Sequence, residues 1–75
     1  MAKTERGQYR FTVKEDDDGR FFIAAEPAGD VIEKLEGDLL SFDLQPGAPQ
    51  SEAQFVAESL NRHIAAISLT IFGEQ

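Results

Sequence analysis

The chain has no cysteine, no tryptophan and a single histidine among its 75 residues. The missing thiols exclude disulfides and thiolate metal sites, and they give no sign of an oxidising compartment. A domain of this size buries barely enough surface to offset its conformational entropy. Packing, helped by self-association, must therefore supply what cross-links do not. One histidine cannot furnish the three or four ligands of a zinc site. Catalysis by it would need a nucleophile or an orienting carboxylate close by. His63 reads instead as a half-exposed residue near a helix C-terminus, where a cation is mildly favoured.

Long apolar runs are missing as well. The longest apolar-rich stretch, residues 64–72, contains Ser68 and Thr70 and falls far short of the roughly 20 residues of a spanning helix. Residues 1–8 have no apolar core of the kind a secretory signal requires. A cytoplasmic location is the expectation. Basic residues are scarce too, seven against fourteen acidic ones, for a net charge of −7. They are scattered at Lys3, Arg6, Arg10, Lys14, Arg20, Lys34 and Arg62. A phosphate backbone or an anionic membrane would be repelled on average, so neither direct nucleic-acid binding nor membrane binding is expected, and the charge reads as solubility.

What is present is apolar periodicity. Six phenylalanines and one tyrosine supply the payload of a small core. From Ser51 to Ile67, apolar residues fall at Ala53, Val56, Ala57, Leu60, Ile64 and Ile67, the spacing of one stripe down a helix. Ser51 and Gln54 fit a capping box at its start. A helix this short is marginal alone, so its stripe must cover something.

The earlier chain supplies a sheet. Tyr9, Phe11 and Val13 alternate with Arg10, Thr12 and Lys14, and residues 20–26 alternate again, with Phe21, Ile23 and Ala25 on one face. Between them Asp18-Gly19 provides the positive φ of a hairpin turn. Phe22 falls on the face that should be solvated, which implies partial cover there. Pro27-Ala28-Gly29-Asp30 is a turn. Residues 31–35 read as a short strand, against the alternative of a one-turn helix with Asp30 and Glu33 as its capping box and Gly37 as its stop. Leu40, Phe42 and Leu44 mark an inward strand face within residues 39–44. Pro46 and Pro49 then close the sheet. Residues 67–72 read as a final strand on β-propensity, although Ile71 also continues the helical spacing.

These segments predict a two-layer α+β domain: a small antiparallel or mixed sheet, ordered β-β-β-β-α-β or β-β-β-α-β, with one amphipathic helix on one face. Residues 1–8 are expected as a flexible leader, 9–72 as the domain and 73–75 as a tail.

No motif carries chemistry. In Glu15-Asp16-Asp17-Asp18-Gly19 the aspartates are consecutive, so their side chains diverge, whereas calcium loops alternate their ligands. A solvated turn is the better reading. Glu52 and Glu58 are six apart and share no helix face. Pro46-Gly47-Ala48-Pro49 places prolines where a phosphate cradle needs N–H groups. Ser41, Ser51, Ser59 and Ser68 lack a nucleophile-elbow setting. No catalytic, cofactor-binding or metal-binding residue is therefore assigned, and no cofactor is expected.

Two resemblances can be stated on these residues. Leu44-Gln45-Pro46-Gly47, Ser51-Glu52-Ala53, Leu60-Asn61-Arg62-His63-Ile64 and Ser68-Leu69-Thr70 together resemble small bacterial and phage-associated domains without assigned function. That likeness covers the C-terminal half and implies no catalysis. Separately, Phe11-Thr12-Val13, Asp17-Asp18-Gly19, Phe21 and residues 25–27 are similar to the opening of HicB-type antitoxins. Those proteins have a β-β-β-α-β order and pair with a small toxin; the Gly-Asp-Thr that leads into their helix is missing here. The expectation is a non-enzymatic interaction module that self-associates or docks on a protein. A HicB-like regulator is the alternative, and a small-molecule or metal binder at the acidic turn ranks last.

Overall fold

The computed structural model describes residues 2–73 and is α+β. Five strands precede and follow one α-helix: β1 Ala2–Gly7, β2 Tyr9–Glu15, β3 Phe21–Pro27, β4 Leu40–Asp43 and β5 Ile67–Phe72, with α1 spanning Gln50–His63. A single 3-10 turn covers Glu33–Leu35. The strands form two antiparallel sheets rather than one: β2-β3-β4, and a separate two-stranded ribbon β1-β5.

The period-two segments fold as their spacing predicts. Register pairs Val13 with Ile23 and Phe11 with Ala25, and Ile23 with Phe42 and Ala25 with Leu40. The inward row is therefore the apolar row of all three strands. Onto it α1 lays Ala53 and Ala57, both buried, whose small side chains let the helix backbone come close. Val56 and Leu60 flank them and pack on the same cluster. Ile64, placed on the stripe by its spacing, is the helix's C-terminal cap residue and 41% exposed. Phe42 keeps an edge-to-face contact with Phe11, ring centroids 5.8 Å apart, while remaining 41% exposed at the open side of β4.

Five residues, 16–20, connect β2 to β3. Asp16 N–H donates to the Arg20 carbonyl and Gly19 N–H to the Asp16 carbonyl, with Gly19 at φ 80°. Only the glycine takes a positive φ; Asp18 does not. The Asp16 carboxylate accepts from the N–H groups of Asp18 and Arg20, both at 2.9 Å, which ties the acidic tip into its own turn. Between β4 and α1, Gln45-Pro46-Gly47-Ala48 makes a turn closed by Ala48 N–H to Gln45 O. Pro fixes φ at its second position and Gly47 takes φ 83° at its third.

Four expectations need correction. The segment expected as a leader forms β1 over residues 2–7, because its backbone pairs with β5 through six facing positions. Its side chains are polar, so period and hydropathy give no warning. Residues 31–35 are not a strand: Glu33–Leu35 form the 3-10 turn, and its first N–H is taken by Glu5 Oε1 of β1, not by Asp30. The Ser51–Gln54 capping box does not form, since the helix starts one residue earlier with Pro49 as its cap and no side-chain cap bond. The helix stops at His63 rather than Ile67, and residues 67–72 are the strand favoured by their β-branched content. Residues 74 and 75 of the expected tail lie outside the described residues, as does Met1.

Candidate interaction surface

β1 and β2 are almost one strand, interrupted at Gln8, where the chain exchanges one partner for another. Before the break it pairs with β5, after it with β3. Gln8 is held at this joint by three hydrogen bonds to the turn after β3. Its N–H donates to Asp30 O at 2.8 Å, its carbonyl accepts from Ala28 N–H at 2.9 Å, and its Oε1 accepts from Asp30 N–H at 2.9 Å. Gly7 sits in the crowded part of the joint. A Cβ there would stand 2.7 Å from Asp30 O and 2.8 Å from Tyr9 Cε1. Closeness of approach, not a special φ, requires the glycine. Tyr9 completes the joint, its hydroxyl accepting from the N–H of fully buried Ile32 at 3.0 Å.

Beyond the joint stands the ribbon. On one face Ile67, Leu69 and Ile71, all half-buried, lie opposite Gly7, Glu5 and Lys3. On the other, Ser68, Thr70 and Phe72 are exposed, opposite Arg6, Thr4 and Ala2. Thr4 and Thr70 share a hydroxyl hydrogen bond of 2.9 Å, and Arg6 Nε donates to Ser68 Oγ at 3.0 Å. Glu5 Oε1 accepts the Glu33 N–H, and Lys3 Nζ is 3.7 Å from Glu5 Oε2. The extensive contacts of β1 and β5 are with each other, while Ile67 at the near end of β5 packs against the core cluster of the larger sheet. The Cα radius of gyration of 14.1 Å exceeds the roughly 11 Å of a compact domain of this length. The molecule measures 43 × 25 × 19 Å, as expected when one sheet stands off from the other. Among the described residues, no backbone hydrogen bond joins residues 67–72 to anything but β1.

The free edge of β2 is treated differently. Asn61, on the last turn of α1, accepts from Phe11 N–H at 2.8 Å through Oδ1 and donates to Phe11 O at 2.9 Å through Nδ2. Its carboxamide thus stands in for a neighbouring strand. Sequence reasoning did not find Asn61, because its role is fixed by a residue far away in the chain.

On the outer face of the three-stranded sheet, Lys14 Nζ is 2.9 Å from Glu26 Oε2 and holds the Glu26 carboxyl below its usual value. Thr12 Oγ1 is buried beside them and reaches no partner at hydrogen-bonding geometry, so we assign the lowering to Lys14. Ala24, opposite Thr12, is fully buried on that face. Phe22, half-buried, lines a cleft of about 600 Å³ at the hairpin end of the sheet, with Arg20, Asp16 and Asp43 bringing charges of both signs to its rim.

The residues weighed in the sequence do not converge. Asp17 and Asp18 point into solvent at the hairpin tip, and His63 is exposed at the end of α1, on a different element. Ser41 lies on β4, Ser51 and Ser59 on α1, and Ser68 on the ribbon bonded to Arg6. Among the described residues no group of three or more His, Asp or Glu side chains is placed to hold a metal ion. No helix among them is long and apolar enough to cross a membrane. Comparison with family models, curated proteins and solved structures finds no match to this chain.

Proposed function

We propose that this chain is a small non-enzymatic interaction module that docks on protein through the β1-β5 ribbon. One observation carries the reading: Ala2–Gly7 and Ile67–Phe72 build a ribbon whose outer edges make no backbone hydrogen bonds among the described residues. A two-stranded ribbon is marginal in water, and sheet edges are ready-made templates for another strand. Edge addition supplies affinity through the main chain and specificity through alternate side chains, here the half-buried Leu69 and Ile71, which continue the row beyond core-packed Ile67. Light scattering after size exclusion, together with pull-down from the lysate of the source cells, tests this. Self-association or specific capture that is lost on placing charges along β5 supports it. A strict monomer that captures nothing contradicts it.

A second reading, a HicB-like regulator, draws support from the succession β2-β3-β4-α1-β5, the order that the resemblance implies. Here β1 is an addition and β5 pairs with it rather than with the larger sheet. Co-expression with a neighbouring toxin-sized reading frame tests this reading. Formation of a stable complex supports it, and the lack of any such neighbour ends it.

A further inference from the structure

We propose that the outer edge of β5 pairs with the same edge of a second copy of this chain, antiparallel and centred on Leu69, giving a four-stranded sheet β1-β5-β5-β1 about a two-fold axis. The inference rests on the interaction-module reading and names its partner.

Among the described residues there are four outer strand edges, and three carry a recognisable guard. On β2, Asn61 occupies the backbone groups of Phe11. β4 is only four residues long and ends in Asp43. β1 carries Lys3, Glu5 and Arg6. Short length, charge and cover are the devices by which proteins keep edges from pairing. β5 has none of them. Its six residues, Ile67-Ser68-Leu69-Thr70-Ile71-Phe72, include no charge, proline or glycine and alternate apolar with polar up to the exposed Phe72.

The occupant follows from the order of those residues. Read in either direction, Ile67-Ser68-Leu69-Thr70-Ile71 runs apolar, hydroxyl, apolar, hydroxyl, apolar. Opposed residues in an antiparallel pair share a face, so a strand pairs well with its own copy when its pattern survives reversal. Centred on Leu69, the pairing sets Ile67 against Ile71, Leu69 against itself and Ser68 against Thr70. The half-buried apolar rows of the two copies then join on one face. The hydroxyls meet on the other, where Thr4 and Thr70 already form such a pair within the chain. Centring on Thr70 instead would set Ser68 against Phe72 and lose the match.

Electrostatics permits the approach. Each copy carries −7 overall, yet the facing strands are uncharged, and on the ribbon Lys3 and Arg6 outnumber Glu5. No like charges stand directly opposite, the arrangement that destabilises cross-strand pairs. The added strands also bring the ribbon past the three-strand threshold for independent stability.

The test is the mass of the intact chain by light scattering or sedimentation, over a wide concentration range. Wild type is expected at twice 8.3 kDa. S68K/T70K and S68E/T70E, each of which sets like charges opposite one another across the axis, are expected as monomers. An equimolar mixture of the two variants is expected to recover the two-chain mass. A second readout uses the lack of native cysteine. Leu69→Cys lies on the axis, where opposed Cα atoms about 4.5–5.5 Å apart are within disulfide reach. It should cross-link far faster than Phe55→Cys, placed at an exposed site on α1. Should the charged variants lose their circular dichroism, the cysteine pair decides. A monomer at all concentrations, a dimer indifferent to both charge variants, or equal cross-linking at the two cysteine sites would overturn the proposal. A wild-type monomer that still captures a partner, with S68K/T70K losing it, would refute self-pairing and leave the interaction reading standing. A monomer that captures nothing would remove both.

Discussion

Asn61 and Phe11 exchange two hydrogen bonds, of 2.8 and 2.9 Å, between residues 50 apart in the chain. One carboxamide satisfies both backbone groups that Phe11 turns away from β3, and it anchors the last turn of α1 to the sheet. Asn61→Ala should therefore lower stability by about 1–3 kcal/mol, from two part-buried hydrogen bonds at about 0.5–1.5 kcal/mol each. Amide exchange at Phe11 should accelerate by more than the global loss explains. Asn61→Asp keeps the acceptor but turns a carboxylate oxygen toward Phe11 O where Nδ2 donated, so at neutral pH it should be at least as destabilising as Asn61→Ala.

Gly7 sets the distance between ribbon and body. A Cβ at 2.7 Å from a backbone oxygen cannot be relieved by a side-chain shift, because Asp30 O is itself held by Gln8 N–H. Gly7→Ala should cost about 1–3 kcal/mol through overpacking. Ala2→Gly, at the far end of the same strand, should cost less. Thermal melting of the two variants makes the comparison.

Leu60 closes the helix–sheet contact beside Ala57. Leu60→Asp puts a charge against the core cluster, so the α1 packing should be lost. Loss of amide NMR dispersion and of the cooperative melt is the expected result. Unchanged spectra would mean that α1 is not what covers the three-stranded sheet.

The Lys14–Glu26 pair makes stability depend on pH. Glu26 has a lowered pKa in the fold because the Lys14 ammonium stabilises its charged form. Its contribution is thus fully present above the ordinary value of 4.5 and fades as the pH falls through the lower folded value. Lys14→Gln should melt below wild type at neutral pH, and the gap should close once the pH is well under that range. Salt should shrink the gap as well, since the pair is partly exposed.

Much of the body is legible in the sequence, for local reasons. The hairpin announces itself by period two on both sides of Asp18-Gly19, and the helix by Ala53, Val56, Ala57 and Leu60. What is not legible rests on distant partners. Lys3, Thr4, Glu5 and Arg6 look like loose polar chain because strand β1 exists only through pairing with β5, more than sixty residues later. The 3-10 turn at Glu33–Leu35 is too short to have a period, and a carboxylate from β1 meets its first N–H. Ile64 and Ile67 extend the helical spacing past the true end at His63, where the chain turns extended at Ile64 and goes on to join β1. Asn61 looks like any polar helix residue until Phe11 is placed beside it. The proposed interaction surface is hidden for the same reason: its signal is an edge left open, and edges exist only once strands are paired.

The proposed docking role of the ribbon is tested most directly by amide hydrogen exchange across Ile67–Phe72 as protein concentration is raised. Alternate amides of β5, those turned away from β1, should pass from fast exchange in dilute solution to strong protection when concentrated, and S68K/T70K should abolish the change. Rates at those amides that stay fast and equal at every concentration, in wild type and variant alike, would contradict it.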